Sequence, residues 1–205
     1  STSETGGTDH HGVGFCYNRR IEKYRNHYIQ HSSHLAEMEI NMHGNPLVIL
    51  TAYMPHDASA EIKRLAAWEE MSNRIRSITH NKHVVVLGDL NAALHARKEG
   101  EEECLGPHIW GKGLTFLRET AGLLPESMNR NILIELFKEH DMRCMNTYSE
   151  KPSKKKATYR HMWATGMQGP WDTDRYSELD LCLAFRRWAN SIGNVESDNL
   201  TNVNT

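Results

Sequence analysis

A chain of 205 residues with 39% hydrophobic and 24% charged side chains has enough apolar surface for one globular domain with a sizeable core, and excludes a fibre or a wholly disordered polymer. The formal net charge of −2 excludes a global electrostatic drive toward nucleic acid, although the local run "KPSKKKATYRH" (151–161) can supply one. No apolar run reaches the length of a membrane span, and the amino terminus has neither a basic lead nor an apolar signal core. Cys16, Cys104, Cys144 and Cys182 are scattered, without zinc-type pairs or the density of a disulfide scaffold, so a reducing, intracellular compartment is expected. The chain begins without Met and reads as a piece of something longer.

No internal repeat or low-complexity linker interrupts it, and a single domain over 1–205 is expected. The first strand candidate is "GVGFCYN" (12–18). "LAEMEIN" (35–41) and "PLVILTAY" (46–53) follow, joined by "MHGN" as a hairpin turn. Ile62, Leu65, Trp68, Met71, Ile75 and Ile78 then recur at helical spacing, with Asp57 or Ser59 as the cap and Glu61 in the first turn.

In "HVVVLGDLNAALHAR" (83–97) the run Val84, Val85, Val86, Leu87 leaves no polar side, which predicts an interior strand buried on both faces. Gly88 permits a close turn, and Asp89 and Asn91 emerge at the strand's carboxyl end, where sites in layered folds collect. The plain alternative is that Asp and Asn only build the turn. Residues 95–113 form a long connection, and loops of this length are often functional. Its run Glu101, Glu102, Glu103 reads as a solvated surface, a cation site being the lesser alternative.

A second helix is expected over 129–141, with Leu133, Leu136, Phe137 and His140 on one stripe and Ser127 or Asn129 near its start. His140 reads as a helix-end residue rather than a ligand. The last strand candidates are 143–148, 157–163, 179–185 and 189–197. Many strands, few helices and a helix placed after a hairpin favour a layered α/β sandwich over alternating βαβ units.

Four stretches read together identify a chemistry: "LTAYMPH" with Tyr53 and Pro55, "LGDLNA" with Asp89 and Asn91, "KATYRH" with Thr158 and Tyr159, and "SELDLCL" with Asp180. In this order and spacing they resemble the endonuclease/exonuclease/phosphatase superfamily, metal-dependent phosphodiesterases with a two-sheet α/β sandwich. "GGTDHHGVGF", "NRNILIELFKEHDMRCMNT" and "LDLCLAFRRWANSI" narrow the likeness to the nuclease domain of non-LTR retrotransposons and the related craniofacial-development-protein-2-like sequences. The resemblance runs across nearly the whole chain.

It implies DNA, or RNA, as partner, no membrane, a nuclear location if the retroelement origin holds, and Mg²⁺ or Mn²⁺ as cofactor, with Asp89 as a metal-side carboxylate. It implies that Asp89 orients or deprotonates the attacking water, that Asn91 and Tyr53 contact the scissile phosphate, and that Asp180 holds a catalytic His. Thr158 and Tyr159 match a pair beside the nucleic-acid groove, while Lys154, Lys155, Lys156 and Arg160 are placed to meet the phosphate backbone. The bland readings beside these are a strand-end aromatic, a turn Asp, a half-exposed strand pair and a solvated basic loop.

The chain departs from the family pattern at both ends. The family's metal-site Asn and Glu precede the Gly-Val-Gly-Phe strand, and neither Glu4 nor Asp9 lies on a strand of that kind. At the far end "ESDN" offers Ser197, Asp198 and Asn199 where the family has Ser/Thr-Asp-His, and Asn cannot replace imidazole. A register placing Thr205 at the Ser/Thr position, with the Asp-His beyond it, fits better. Among the 13 histidines His10 and His11 precede a strand, and His56 and His161 come nearest to the site, but packing roles suit both. The expectation is therefore a fragment or degraded copy of a Mg²⁺-dependent DNA endonuclease, with weak or no activity. The alternatives are a non-catalytic nucleic-acid-binding remnant, or a phosphatase or lipid phosphodiesterase of the same superfamily.

Overall fold

The structure is a computed structural model that describes residues 12–78, 81–120, 128–164 and 170–197. Its strands are β1 (Arg25–Gln30), β2 (Leu35–Met42), β3 (Asn45–Tyr53), β4 (His83–Asp89), β5 (Met142–Cys144), β6 (Tyr159–Arg160), β7 (Tyr176–Ser177) and β8 (Asp180–Phe185). The helices are α1 (Glu61–Ser77), α2 (Gly113–Thr120) and α3 (Asn129–His140). β1-β2-β3-β4-β8-β5 form a six-stranded sheet in which β3 and β4 are parallel and the other neighbours antiparallel, and β6-β7 form a second, two-stranded sheet. The class is α/β with two sheets, as expected. No helix among the described residues is long and apolar enough to cross a membrane.

The β2–β3 hairpin closes through His43 (φ 57°) and Gly44 (φ 83°), with Met42 paired to Asn45. Both central residues are left-handed, the geometry whose twist matches the flanking strands, and Gly44 adopts it without a Cβ clash. α1 then carries the chain over one sheet face so that β4 returns parallel to β3. Val48, Leu50, Ala52, Val84, Val86, Leu181 and Leu183 from the sheet meet Trp68, Met71, Ile75, Leu133 and Phe137 from α1 and α3 in one core. Full burial of each large member contributes about 1.5–3 kcal/mol, so this layer holds the strand ends in place.

Several expectations change once the layers are assembled. β4 is an interior strand of the sheet, but it buries one face only: Val84 and Val86 are sealed while Leu87 is 40% exposed. The opposite face, with Ile49, Val85, Cys182 and Ala184, is covered only in part by the 3₁₀ segment Arg186–Ser191. That segment and the coil after it replace the strand expected over 189–197. Residues 12–18, expected as a strand, form none and have no ladder partner among the described residues; Phe15 makes an edge-on contact with Tyr28 of β1, rings 6.1 Å apart.

In α1 the buried stripe is Arg64, Ala67, Trp68, Met71 and Ile75, whereas Ile62 and Leu65 face solvent. Asp57 does not cap α1; its carboxylate accepts from the Arg64 guanidinium (3.0 Å) and from the Asn129 N–H (2.8 Å) that opens α3. Asn129 is the first residue of α3, as expected near its start, with Met128 as the cap, and Ser127 lies outside the described residues. His140 ends α3 half-buried, its ring meeting the Ser72 hydroxyl at 2.8 Å. The expected strands at 143–148 and 157–163 shrink to β5 and β6, the former continuing as a buried 3₁₀ turn, Met145–Thr147. β1, β7 and α2 had no counterpart in the sequence reading.

Candidate active site

Gly88 sets the geometry of the strand end. Its φ is +146°, and a Cβ there would lie 2.0 Å from the Ala52 carbonyl oxygen on β3, so only glycine lets β3 and β4 approach. One residue on, Tyr53 is in register with Asp89, and Asp89 with Asp180 on β8. Three neighbouring strands therefore end in one row, Tyr53–Asp89–Asp180, on the sheet face away from α1 and α3. Neighbouring strands are about 4.8 Å apart, so the three side chains share one small surface.

The turn after Asp89 is locked. Asp89 Oδ1 accepts the Asn91 N–H (2.9 Å), the Met54 N–H donates to the Asp89 carbonyl (2.9 Å), and Asn91 Nδ2 donates to the Met54 carbonyl (2.7 Å). Asn91 sits in the left-handed region (φ 47°), which asparagine tolerates, and its carbonyl accepts from Asn129 Nδ2 (3.1 Å). Asn129 is fully buried and also donates to the Pro55 carbonyl (2.8 Å) while accepting from the Trp68 indole (2.9 Å). It joins the β3 end, the β4 end and both main helices. Of the two Asn91 Nδ2 hydrogens, the Met54 carbonyl takes one.

Burial raises the Asp89 pKa above the ordinary Asp value against the pull of the Asn91 N–H, and the Asp180 charge beside it raises it further. Asp180 keeps an open solvent face; its pKa is raised by desolvation too, opposed by Thr158. Thr158 Oγ1 accepts from the Leu179 and Asp180 N–H groups (2.9 and 3.1 Å), pinning the start of β8. Perturbed carboxylates gathered at a strand end are what an acid–base site requires.

Two site residues had no signal of their own in the sequence. Asn146, in the 3₁₀ turn after β5, donates to Glu178 (3.1 Å) and to the Asp180 carbonyl (3.1 Å) and accepts from the Cys182 N–H (2.7 Å). Glu178 is buried, and desolvation pushes its carboxyl up to about 7 despite the Asn146 hydrogen bond. The spacing of "SELD", a Glu two positions before Asp180, was the one available hint. With Thr158, Leu87 and Ser197 these groups line a hollow of about 350 Å³ beside Asp180.

The remaining expected residues disperse. Tyr159 and Arg160 are exposed on β6, next to Thr158. Lys154 is exposed, Lys155 pairs with Glu196 (2.9 Å), and Lys156 is buried, donating to the His108 carbonyl (2.7 Å), which removes it from the surface. Glu101 is not solvated: it is 5% exposed and meets the buried Arg130 guanidinium through two hydrogen bonds of 3.0 and 2.7 Å. Arg130 also donates to the Leu94 and Ala96 carbonyls, so the pair ties the turn after Asn91 to α3. Glu103 reaches solvent and pairs with Arg186.

His56 is exposed after Pro55, and the His161 ring meets the Ser177 hydroxyl (3.2 Å); among the described residues no imidazole meets Asp180. Glu4, Asp9, His10, His11, Asp198, Asn199 and Thr205 lie outside the described residues. Mg²⁺ takes about six oxygen ligands, usually several waters with one or two carboxylates and substrate phosphate. Among the described residues no three Asp, Glu, His or Cys side chains form a metal-holding group; Asp89 and Asp180, ladder partners, are the two carboxylates that a cation there would take.

No protein-family model and no curated protein matches the chain. Solved structures similar to it include the endonuclease domain of TRAS1, a telomere-specific non-LTR retrotransposon (9% identity, 80% of this chain and 57% of that one, TM-score 0.47). The AP endonuclease LMAP from Leishmania major is similar at 12% identity over 80% of this chain and 49% of that one, with a TM-score of 0.48. An endonuclease/exonuclease/phosphatase family protein from Leptotrichia buccalis C-1013-b is similar at 9% identity over 73% of this chain and 41% of that one, with a TM-score of 0.39. In each case the matched region is well under two thirds of the solved chain.

Proposed function

We propose that this chain carries the centre of a nuclease-type phosphodiesterase site of the endonuclease/exonuclease/phosphatase kind, of retroelement origin and directed at DNA. The observation that carries the reading is the row Tyr53–Asp89–Asp180 in ladder register, with Asn91 locked beside it. Asp89, made more basic by burial and by the Asp180 charge, takes the proton of the attacking water. The second Asn91 Nδ2 hydrogen and the Tyr53 hydroxyl donate to non-bridging phosphate oxygens, adding no repulsive charge. Asp180 is a positioning residue acting on Asp89, and the leaving oxygen takes its proton from solvent.

Slow turnover is the expectation, because among the described residues no imidazole meets Asp180 and no group of three metal ligands forms. The same observation favours a second reading, a nucleic-acid-binding remnant without catalysis. Nicking of supercoiled plasmid with and without Mg²⁺ or Mn²⁺ separates them. Under the first reading slow nicking falls by about 10²- to 10⁴-fold in Asp89→Asn, the usual worth of a general base. Salt-dependent DNA binding with no nicking assigns the second reading. Nicking indifferent to Asp89→Asn, or hydrolysis confined to phosphomonoesters or phospholipids, overturns the nuclease proposal.

A further inference from the structure

Beside the site, β6 begins with Tyr159, set by the resemblance beside a nucleic-acid groove, and two further rings follow it that no step above uses, His161 and Trp163. Tyr159 is 40% exposed and Trp163 65%, with Met162 between His161 and Trp163 at 95%. The rings touch in sequence: Tyr159 stands perpendicular to His161 at 5.4 Å, and His161 lies within 13° of parallel to Trp163 at 6.1 Å. Soluble surfaces rarely leave large apolar side chains clustered in this way unless they bind something.

The group is held rather than loose. The His161 N–H donates to the Arg175 carbonyl (2.9 Å), and its ring meets the Ser177 hydroxyl (3.2 Å). The Ala164 N–H closes back on the His161 carbonyl (2.9 Å), fixing the turn that carries Trp163. The ladder is anchored from behind by Tyr176, which is buried and packs on Trp171 with centroids 4.7 Å apart. Holding rings in place before binding lowers the entropy cost of stacking on them.

Its location decides what it serves. Thr158 donates its N–H to the Ser177 carbonyl, and its hydroxyl accepts from the Asp180 N–H, so the aromatic group begins one residue from the group that fixes Asp180. Arg160 lies on β6, and Arg175, in the turn just before β7, pairs with Asp172 (3.7 Å). Ring faces recognise ring faces, and a base shows its face only when it is out of the helix, because a duplex presents edges and phosphates.

We propose that Tyr159, His161 and Trp163 form a stacking platform for unpaired nucleotides next to the Tyr53–Asp89–Asp180 row, so that this chain prefers single-stranded or unpaired nucleic acid. The inference rests on the nuclease-type reading for its ligand class and deepens it by naming the strand state. Stacking is tolerant of sequence, so little base preference accompanies it.

The test is anisotropy of the full chain with fluorescein-labelled dT20 and with a 20-base-pair duplex, at matched salt. The wild-type chain binds dT20 more tightly, and dT20 quenches tryptophan fluorescence. Trp163→Ala and Tyr159→Ala each weaken dT20 binding by about 10-fold, within the range of one ring–base stack, while Trp163→Phe restores most of it and duplex binding changes less than 2-fold. Both positions are exposed, and circular dichroism checks that the variants fold. Equal loss on duplex and single strand, or no loss in either variant, overturns the platform. Binding to phosphatidylcholine vesicles that Trp163→Ala abolishes, without dT20 binding, assigns the rings to a lipid surface and likewise overturns it. Asp89→Asn is the independent control: loss of nicking with dT20 binding intact upholds the nuclease reading whatever the platform variants do, and absence of all nucleic-acid binding removes both.

Discussion

Replacing Gly88 by alanine tests the geometry on which the site depends. The added Cβ would meet the Ala52 oxygen at 2.0 Å, its carbonyl carbon at 2.9 Å and its nitrogen at 3.0 Å, all backbone atoms that cannot rotate away. Relief requires β3 and β4 to separate by about 1 Å at the point where they are in parallel register, a shift that closely packed interiors resist. The φ of +146° adds strain of about 1–3 kcal/mol for a residue with a side chain. With the contact itself, the loss should reach about 3–5 kcal/mol, in the tail of single-residue effects. For a domain of this size that lowers Tm by roughly 10 °C. Urea and thermal unfolding followed by circular dichroism measure it, with Gly44→Ala as a milder control, since open space surrounds that Cβ. A loss below about 1 kcal/mol for Gly88→Ala would refute the close approach of the strands and the row built on it.

Glu101→Ala leaves the buried Arg130 charge unpaired and should cost about 3–5 kcal/mol in urea unfolding, while Glu103→Ala, whose partner pair is solvent-exposed, changes stability by less than about 1 kcal/mol. Glu178 has a folded pKa raised from 4.5 to about 7, so its ionisation disfavours the folded state, and stability falls by roughly 3 kcal/mol as pH rises between those values. Glu178→Gln should remove that slope, read as urea midpoints at pH 5 and pH 7.5. Glu37 behaves oppositely: burial raises its pKa, but hydrogen bonds from Arg74, His27 and His31 outweigh burial and hold it at about 2. The stability it contributes is present above its unfolded pKa and is lost as pH falls from 4.5 toward 2, a loss that Glu37→Gln should abolish in acid-unfolding curves. Asp180→Asn removes the charge that helps raise the Asp89 pKa, so the acidic limb of the nicking rate should move to lower pH. An unmoved limb would separate Asp180 from Asp89.

The site and the fold share their supports. Asn129 holds the Asn91 turn from inside the core, Arg130 and Glu101 hold the turn that follows, and Asn146 holds the start of β8. Each is a buried polar group with its partners satisfied, an arrangement costly to break and hence good at fixing position. The acidic row therefore lies on a rigid edge, while the exposed rings on β6 lie on a small ladder joined to it through Thr158.

The sequence by itself determined the local elements. Two left-handed positions in "MHGN" specify the β2–β3 hairpin, the β-branched run before Gly88 specifies β4 and its sharp end, and helical spacing places α1 and gives α3 within a residue at each boundary. These are short-range properties of backbone sterics and side-chain periodicity, legible in any one stretch. Only the tertiary structure decided what depends on partners distant in the chain. The register that aligns Tyr53, Asp89 and Asp180 comes from ladders joining residues far apart in sequence. Whether a Glu in an acidic run, a Lys in a basic one or a Val in an apolar strand is buried depends on the surface packed against it, which is why Glu101 and Lys156 turned inward and Leu87 turned out. Asn146 had no local signal, and Asn129 and Glu178 showed only as a helix-start residue and the Glu of "SELD", because their work is to join elements, and a joint is defined only when both sides are in place.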